Sequence, residues 1–354
     1  QFGGALTLGA AYNYAHDAPA VGETDYRGLS RLRGKLNLEF DADLPKSWRA
    51  HVAGYGFYDA AYAINSREEY TEEVLDDYEN EAELGEAWLQ GRLSQQTDLK
   101  VGRQIVVWGK SDNIRITDII NPLDNREPGM VDIEDLRLPL SMARLDYYIG
   151  DWGISAMAIP EIRFNKNPPY GSDFYPGTMP MPDELPPDDG GKNTEYALAA
   201  NGIFSGWDLS FYWAQHFDDN AHLVTSSGAP QLVHNRLTMT GLAANAAVES
   251  WLIKGEAAHF SGLRYASLPT ESMLRTDTLL GIEYAGFTDT TLSLEVANRH
   301  LHNYEPALLA EGVSEDEWQT ALRYQGDFMH ARLHLLALVS AFGENLDEGG
   351  FGRY

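Results

Sequence analysis

The chain has 354 residues, no cysteine and a formal net charge of −27. That acidity excludes a general nucleic-acid binder, which needs basic surface against phosphate, and the missing cysteines fit an oxidising compartment without disulfides. No run of about eighteen apolar residues exists, so no helical membrane span is expected, and a wall of strands needs none.

No Pro/Gly/Ser linker or change of texture divides the sequence, so residues 1–354 are read as one domain. A chain that opens at Gln1-Phe2-Gly3 in strand texture reads as already processed. The first strand is expected from near Gly4. Between Arg31 and Phe40, Arg31, Arg33, Lys35, Asn37 and Glu39 fall on one side and Leu32, Leu36, Leu38 and Phe40 on the other. A period of two means an extended strand with two unlike faces. The pattern recurs with Glu86, Gln90 and Arg92 against Ala87, Leu89 and Leu93, and with Arg144 and Asp146 against Leu145, Tyr147 and Ile149. It continues with Asp208, Ser210 and Tyr212 against Leu209, Phe211 and Trp213, then at Lys254 and Glu256. Ser293, Glu295 and Arg299 oppose Leu292, Leu294 and Val296. Gln319, Arg323, Gln325 and Asp327 oppose Trp318, Leu322 and Tyr324, and Arg332 and His334 oppose Leu333 and Leu335.

Most of these segments run about ten to fourteen residues, where soluble strands have about five or six and tilted membrane strands need roughly nine to eleven. The expected fold is all-β, a transmembrane up-and-down antiparallel β-barrel in the bacterial outer membrane. A soluble sandwich or solenoid is the alternative, and it would bury the leucines between layers.

Connections alternate between short and long, as short periplasmic turns and long outer loops require. Short turns fall at 44–46, 94–97, 150–152, 205–207, 249–251, 288–290 and 327–329, and long connections at 16–27, 63–81, 110–138, 160–193, 218–233, 263–273 and 301–315. Trp48, Trp152, Trp207 and Trp251 each open the strand after a short turn, which suits an aromatic girdle at headgroup level. Fifteen strands are visible, the last ending near Gly343. An even count of about sixteen leaves only 350–354 for the last strand, which is then truncated with the sequence or unusually brief, unless the barrel carries more than sixteen strands.

The charges at the inward phase are the candidate pore lining: Arg31, Arg33, Lys35, Glu39, Arg49, Glu86, Arg92, Lys100, Arg144, Asp146, Arg236, Lys254, Glu256, Glu295, Arg299, Arg323, Asp327 and Arg332. On the lipid side each would cost about 2–4 kcal/mol at the midplane. They either pair across strands to stiffen the wall or sort solutes by charge. Between 67 and 83, nine acids stand against one arginine; the reading is a solvated outer loop, the alternative is divalent-cation bridging to lipopolysaccharide or Ca²⁺ held by clustered oxygens, and without a calcium-loop pattern no metal or other cofactor is expected. The segment 110–138, with Ile116, Ile119, Ile120 and Leu123 among its charges, is too long and too apolar to hang in water. It is expected to fold into the lumen, bringing Arg115, Asp118, Asp124, Arg126, Asp132, Asp135 and Arg137 to the wall as a constriction or plug, with an ordinary packed outer loop as the alternative. The connection 160–193 holds seven prolines beyond Pro160, with Phe164, Tyr170, Phe174, Tyr175, Met179 and Met181, and is read as a stiff loop packed over the barrel mouth, with an outer lid or a patch for a hydrophobic ligand or envelope partner as the alternatives.

The run Gly102-Arg103-Gln104 followed by Trp108-Gly109, Ser111-Asp112 and Asn121-Pro122-Leu123-Asp124 carries a resemblance. With it go Leu138-Pro139, Ile159-Pro160-Glu161, Gly171-Ser172-Asp173-Phe174 and the 204–210 turn. Together they resemble a bacterial family of outer-membrane barrels known only as a domain of unknown function. Its members tend to be encoded beside RND-type exporters and small lipoprotein-like partners, and the resemblance implies a role in moving lipids or other hydrophobic molecules across the envelope. It implies no catalytic residues.

Two functions stay open: a channel or facilitator for small solutes or hydrophobic, lipid-like molecules, and a plugged barrel that docks an exporter or lipid carrier. The expected partners are outer-membrane lipid and lipopolysaccharide, with an RND-type exporter or periplasmic lipoprotein under the second reading. An outer-membrane hydrolase would need a serine activated by a positioned histidine. The histidines are scattered and no Gly-x-Ser-x-Gly run exists, so no enzyme is expected.

Overall fold

Alternating side chains on an extended backbone build the sheet that dominates the chain. The computed structural model describes residues 1–19, 24–129, 133–177, 179–225, 228–330, 332–343 and 352–353. Seven strands follow one another as hydrogen-bonded neighbours: β1 (Phe2–Asn13), β2 (Gly28–Leu44), β3 (Trp48–Asp59), β4 (Asn80–Ser94), β5 (Thr97–Gln104), β6 (Leu140–Ile149) and β7 (Trp152–Ile159). β8 (Glu184–Leu185) lies outside that sheet, which continues with β9 (Glu195–Phe204) and β10 (Trp207–Phe217). After β11 (His222–Val224) and β12 (Gln231–Val233) come β13 (Arg236–Val248), β14 (Trp251–Leu263), β15 (Met273–Phe287), β16 (Thr290–His302), β17 (Asp316–Phe328) and β18 (Leu333–Phe342). A two-residue β19 (Gly352–Arg353) pairs with Ser340 and Ala341, giving fifteen full strands and a short sixteenth. β8, β11 and β12 make a separate three-stranded sheet.

Trp48, Trp152, Trp207 and Trp251 are the first residues of β3, β7, β10 and β14. The last short turn lies later than the alternation indicated: β17 runs on to Phe328, so Arg332 stands in the turn before β18 and not on a strand.

Contacts group the chain into two compact units, one of Gln1–Ile105, Pro122–Ala143 and Arg163–Pro182, the other of Val106–Asn121, Arg144–Ile162 and Asp183–Tyr354. In the first, β2 and β3 pair in a register that puts Lys35 opposite Phe57 and Asn37 opposite Tyr55. β4 then sets Glu81 beside Phe57 and Glu83 beside Tyr55. One face therefore carries a basic column, an aromatic column and an acidic column side by side. The other face carries Leu32, Leu36, Leu38 and Phe40, all exposed.

The connection between β3 and β4 holds α1 (Ala61–Ile64) and α2 (Glu72–Tyr78), which corrects its reading as a plain solvated loop. Thr71 caps α2 by accepting from Val74 N at 3.3 Å, Glu72 and Glu73 occupy the first turn where the helix dipole favours acids, and Val74, Leu75 and Tyr78 are buried with Tyr62.

The second unit shows the inversion of burial most sharply. On β16, Glu295 is 1% exposed while Leu294, its chain neighbour, is 40% exposed. Lys254, Glu256 and Asp277 are likewise buried, and Ile253, Leu280 and Ile282 are exposed. A soluble sandwich buries the opposite set.

Candidate functional site

In the first unit the columned face borders a cavity of about 280 Å³, and its wall is a set of ion pairs. Arg31 and Arg33 of β2 converge on Glu127, with Arg33 Nη2 2.9 Å from it, and Arg33 Nε reaches Asp59 at 3.2 Å. The guanidinium of Arg33 lies 4.2 Å above the Phe57 ring, and Lys35 Nζ sits 4.2 Å above the ring of Tyr55. On the acidic side Arg126 binds Asp124 at 2.6 Å, Glu81 at 2.8 Å and Asp77 at 3.2 Å. Lys166 bridges Glu81 and Glu83, and Arg163 and Arg103 also reach Glu83. The connections hold these cations in place: Leu123 bridges to Arg137, and Asp124 bridges to Lys166 in a parallel sense.

Burial raises the Asp77 carboxyl above its ordinary value despite Arg126. Burial pushes Asp124 the same way, but the hydrogen bonds and charge of Arg126 outweigh it and leave that carboxyl below the usual range. At Arg126 burial opposes the charge, yet Asp124 and Glu81 raise the guanidinium above its ordinary value. Asp124 and Arg126 are thus held as ions, and stripping the buried Arg126 of its carboxylates costs about 3–5 kcal/mol.

In the second unit the segment Val106–Asn121 lies against the polar face of the strands. It has no regular secondary structure, so its backbone N–H groups need partners from elsewhere. Glu256 supplies four bonds, accepting from Lys110 N at 2.5 Å, Ser111 N at 2.7 Å, and Thr117 N and Oγ1 at 3.2 and 2.7 Å. Glu295 accepts from Asp112 N, Asn113 N and Ile114 N at 2.8, 3.0 and 3.1 Å. Lys254 binds Asp112, and Trp108 stacks on Tyr212 at 4.7 Å. Gly109 is required here: its φ is +86°, and a Cβ would meet a Glu256 oxygen at 2.7 Å. Ile114, Ile116 and Ile120 are buried beneath.

Arg31, Arg33 and Lys35 are thus brought together with Arg126 and Arg137 around one cavity, which Asp124 and Asp135 also line. Lys254, Glu256 and Glu295 are covered by the segment they hold. Arg115 pairs with Asp118 within that segment, and Arg299 donates to the Arg115 carbonyl while approaching Asp277 at 3.8 Å. Asp146 is buried against Arg144 and Ser155. Glu86 takes the N–H of Ile105 and lies 3.9 Å from Lys100. Nearer the turns, Arg49 pairs with Asp43, Arg92 with Asp98 and Asp327 with His334, while Arg323 donates to Gln325. Glu39 lies against Gly3. Asp132 lies outside the described residues. Arg236 is a correction: it pairs in register with Phe217, one residue out of phase with the buried Leu237 and Met239. It therefore stands on the opposite face from Glu256, donating to the carbonyls of Lys192, Asn193 and Thr194.

Sequence reasoning missed Glu127, Asp59, Arg163 and Lys166, which come from outside the alternating runs or from their ends. Tyr55 and Phe57 had a usable signal, being two apart and in phase with Asp59.

A family model described as a protein of unknown function, DUF1302, matches residues 10–335. No curated protein matches the chain. Solved structures similar to it include a porin refined at 1.8 Å, 12% identical over 99% of this chain and 98% of that one with a TM-score of 0.48. The outer membrane channel DcaP of Acinetobacter baumannii is 11% identical over 99% and 94%, at 0.49. OccAB1 of the same organism is 11% identical over 96% and 78%, at 0.51. The likeness to OccAB1 shows the fold, a porin-like β-barrel.

Proposed function

The chain belongs to the DUF1302 family, and we propose that it is a porin-like channel that lets small solutes cross the bacterial outer membrane. Its location follows from a β-barrel fold whose strands expose leucine and bury glutamate, since hydrocarbon accepts the first and excludes the second. That inversion, Glu295 buried beside the exposed Leu294, is the observation that carries the proposal. The charged, paired lining of the first unit's cavity supports small polar solutes over hydrophobic, lipid-like ones.

The test is reconstitution of the purified chain in planar bilayers and in liposomes. Stepwise conductance and uptake of small solutes are expected, and a bilayer that stays silent with liposomes that stay sealed contradicts the proposal.

A further inference from the structure

Among the ions around the first unit's cavity, nearly every partner is accounted for locally. Arg31 and Arg33 share Glu127 and Asp59, while Arg126, Lys166, Arg163 and Arg103 together match Asp77, Asp124, Glu81 and Glu83. Lys35 differs. It lines the cavity, and among the described residues its ammonium rests on the Tyr55 ring and meets no carboxylate. A cation–π contact satisfies one side of an ammonium and leaves its other donors for a ligand.

The space beside it is also built. In the register of β1 with β2, Thr7 stands opposite Lys35 and Gly9 opposite Arg33, and a Cβ at Gly9 would find nothing within 4 Å. A small residue and a glycine thus leave room next to the cations. The remaining lining includes Phe57, Leu136, Leu138 and Pro139, an apolar set that a fully hydrated inorganic ion would not use.

We propose that this cavity is a binding site for small organic monoanions, a carboxylate held by Lys35 and an apolar or aromatic body against Phe57, Leu138 and Pro139. The inference deepens the channel reading by naming a substrate class for it. The exposed Asp135, which also lines the cavity, weakens the attraction, so affinity is modest and falls with added salt.

Benzoate tests it, with benzyl alcohol as the uncharged analogue, by titration calorimetry of the detergent-solubilised chain and by current block in bilayers. Benzoate should bind and block while benzyl alcohol does neither. Lys35→Met should weaken benzoate binding at least about tenfold, as loss of a charge-assisted bond requires, and Lys35→Arg should keep it. Gly9→Leu should remove it by filling the space with Lys35 intact. Thermal stability of the variants, read in parallel, separates a lost ligand contact from a lost fold. Equal binding of benzyl alcohol, or wild-type benzoate affinity in a folded Lys35→Met chain, overturns the site. Calorimetry needs no conductance, so binding without current contradicts the channel and leaves the site, whereas current without binding does the reverse.

Discussion

Glu295 spends both carboxylate oxygens on the backbone of residues 112–114, and Glu256 does the same for residues 110, 111 and 117. Charge-assisted bonds of this kind contribute about 1.5–3 kcal/mol each, and a buried donor left alone is costly. Glu295→Gln replaces one acceptor oxygen by an NH₂ group that faces another donor. The variant should lower the urea midpoint and give noisier, larger single-channel current as the Val106–Asn121 segment loosens. Unchanged stability and unchanged current would show that the two glutamates do not hold it. His16 offers a milder handle in the outer connections, where Nε2 lies 2.5 Å from Asp173. The Asp17 carbonyl and then the Asp173 carboxylate raise its pKa above 6.5. A raised value means the contact is complete below pH 6.5 and is lost as pH rises through the folded value. Hydrogen exchange around residues 14–19 and 170–175, corrected for intrinsic rates, should therefore quicken at alkaline pH. In His16→Ala that pH dependence should vanish, and a wild-type profile with no change across neutrality contradicts the assignment.

At the scale of elements, alternation was the signal that carried furthest. Side-chain direction fixes which residues share a face whatever lies nearby, so the strands, every short turn but the last, and the tryptophans that open β3, β7, β10 and β14 were legible. Three kinds of feature were not. Helix α2 sat inside an acidic run whose charge drew attention from its own start signal, Thr71 followed by Glu72 and Glu73. The sheet of β8, β11 and β12 is built from pieces of two or three residues, too short for any period to register. Arg236 fell out of phase because the strand begins on it, and one residue of offset exchanges the faces. The candidate site was half legible: its strand charges follow the period, whereas Glu127, Arg163 and Lys166 arrive through connections whose path local pattern does not encode. The same alternation predicts asymmetric tolerance on β16 and β17. Leu294→Arg should cost about 2–4 kcal/mol and impair insertion into vesicles, while Gln325→Arg, on the polar face, should fold at the wild-type rate. Equal behaviour of the two would deny the faces their roles.

For the whole molecule, a net charge of −27 and a family without an assigned function leave the direction of each face as the physical fact from which the rest follows. A charged lining serves passage only if it faces water, and the leucine stripe makes sense only against hydrocarbon. The absence of cysteine makes this directly measurable. Single cysteines placed along β2 at 32, 35, 36, 37 and 38, spin-labelled in reconstituted vesicles, can be scored for collision with lipid-soluble oxygen against a water-soluble nickel chelate. The account predicts oxygen contact at 32, 36 and 38 and nickel contact at 35 and 37. Leucine positions shielded from both reagents, as in a protein core, would contradict it.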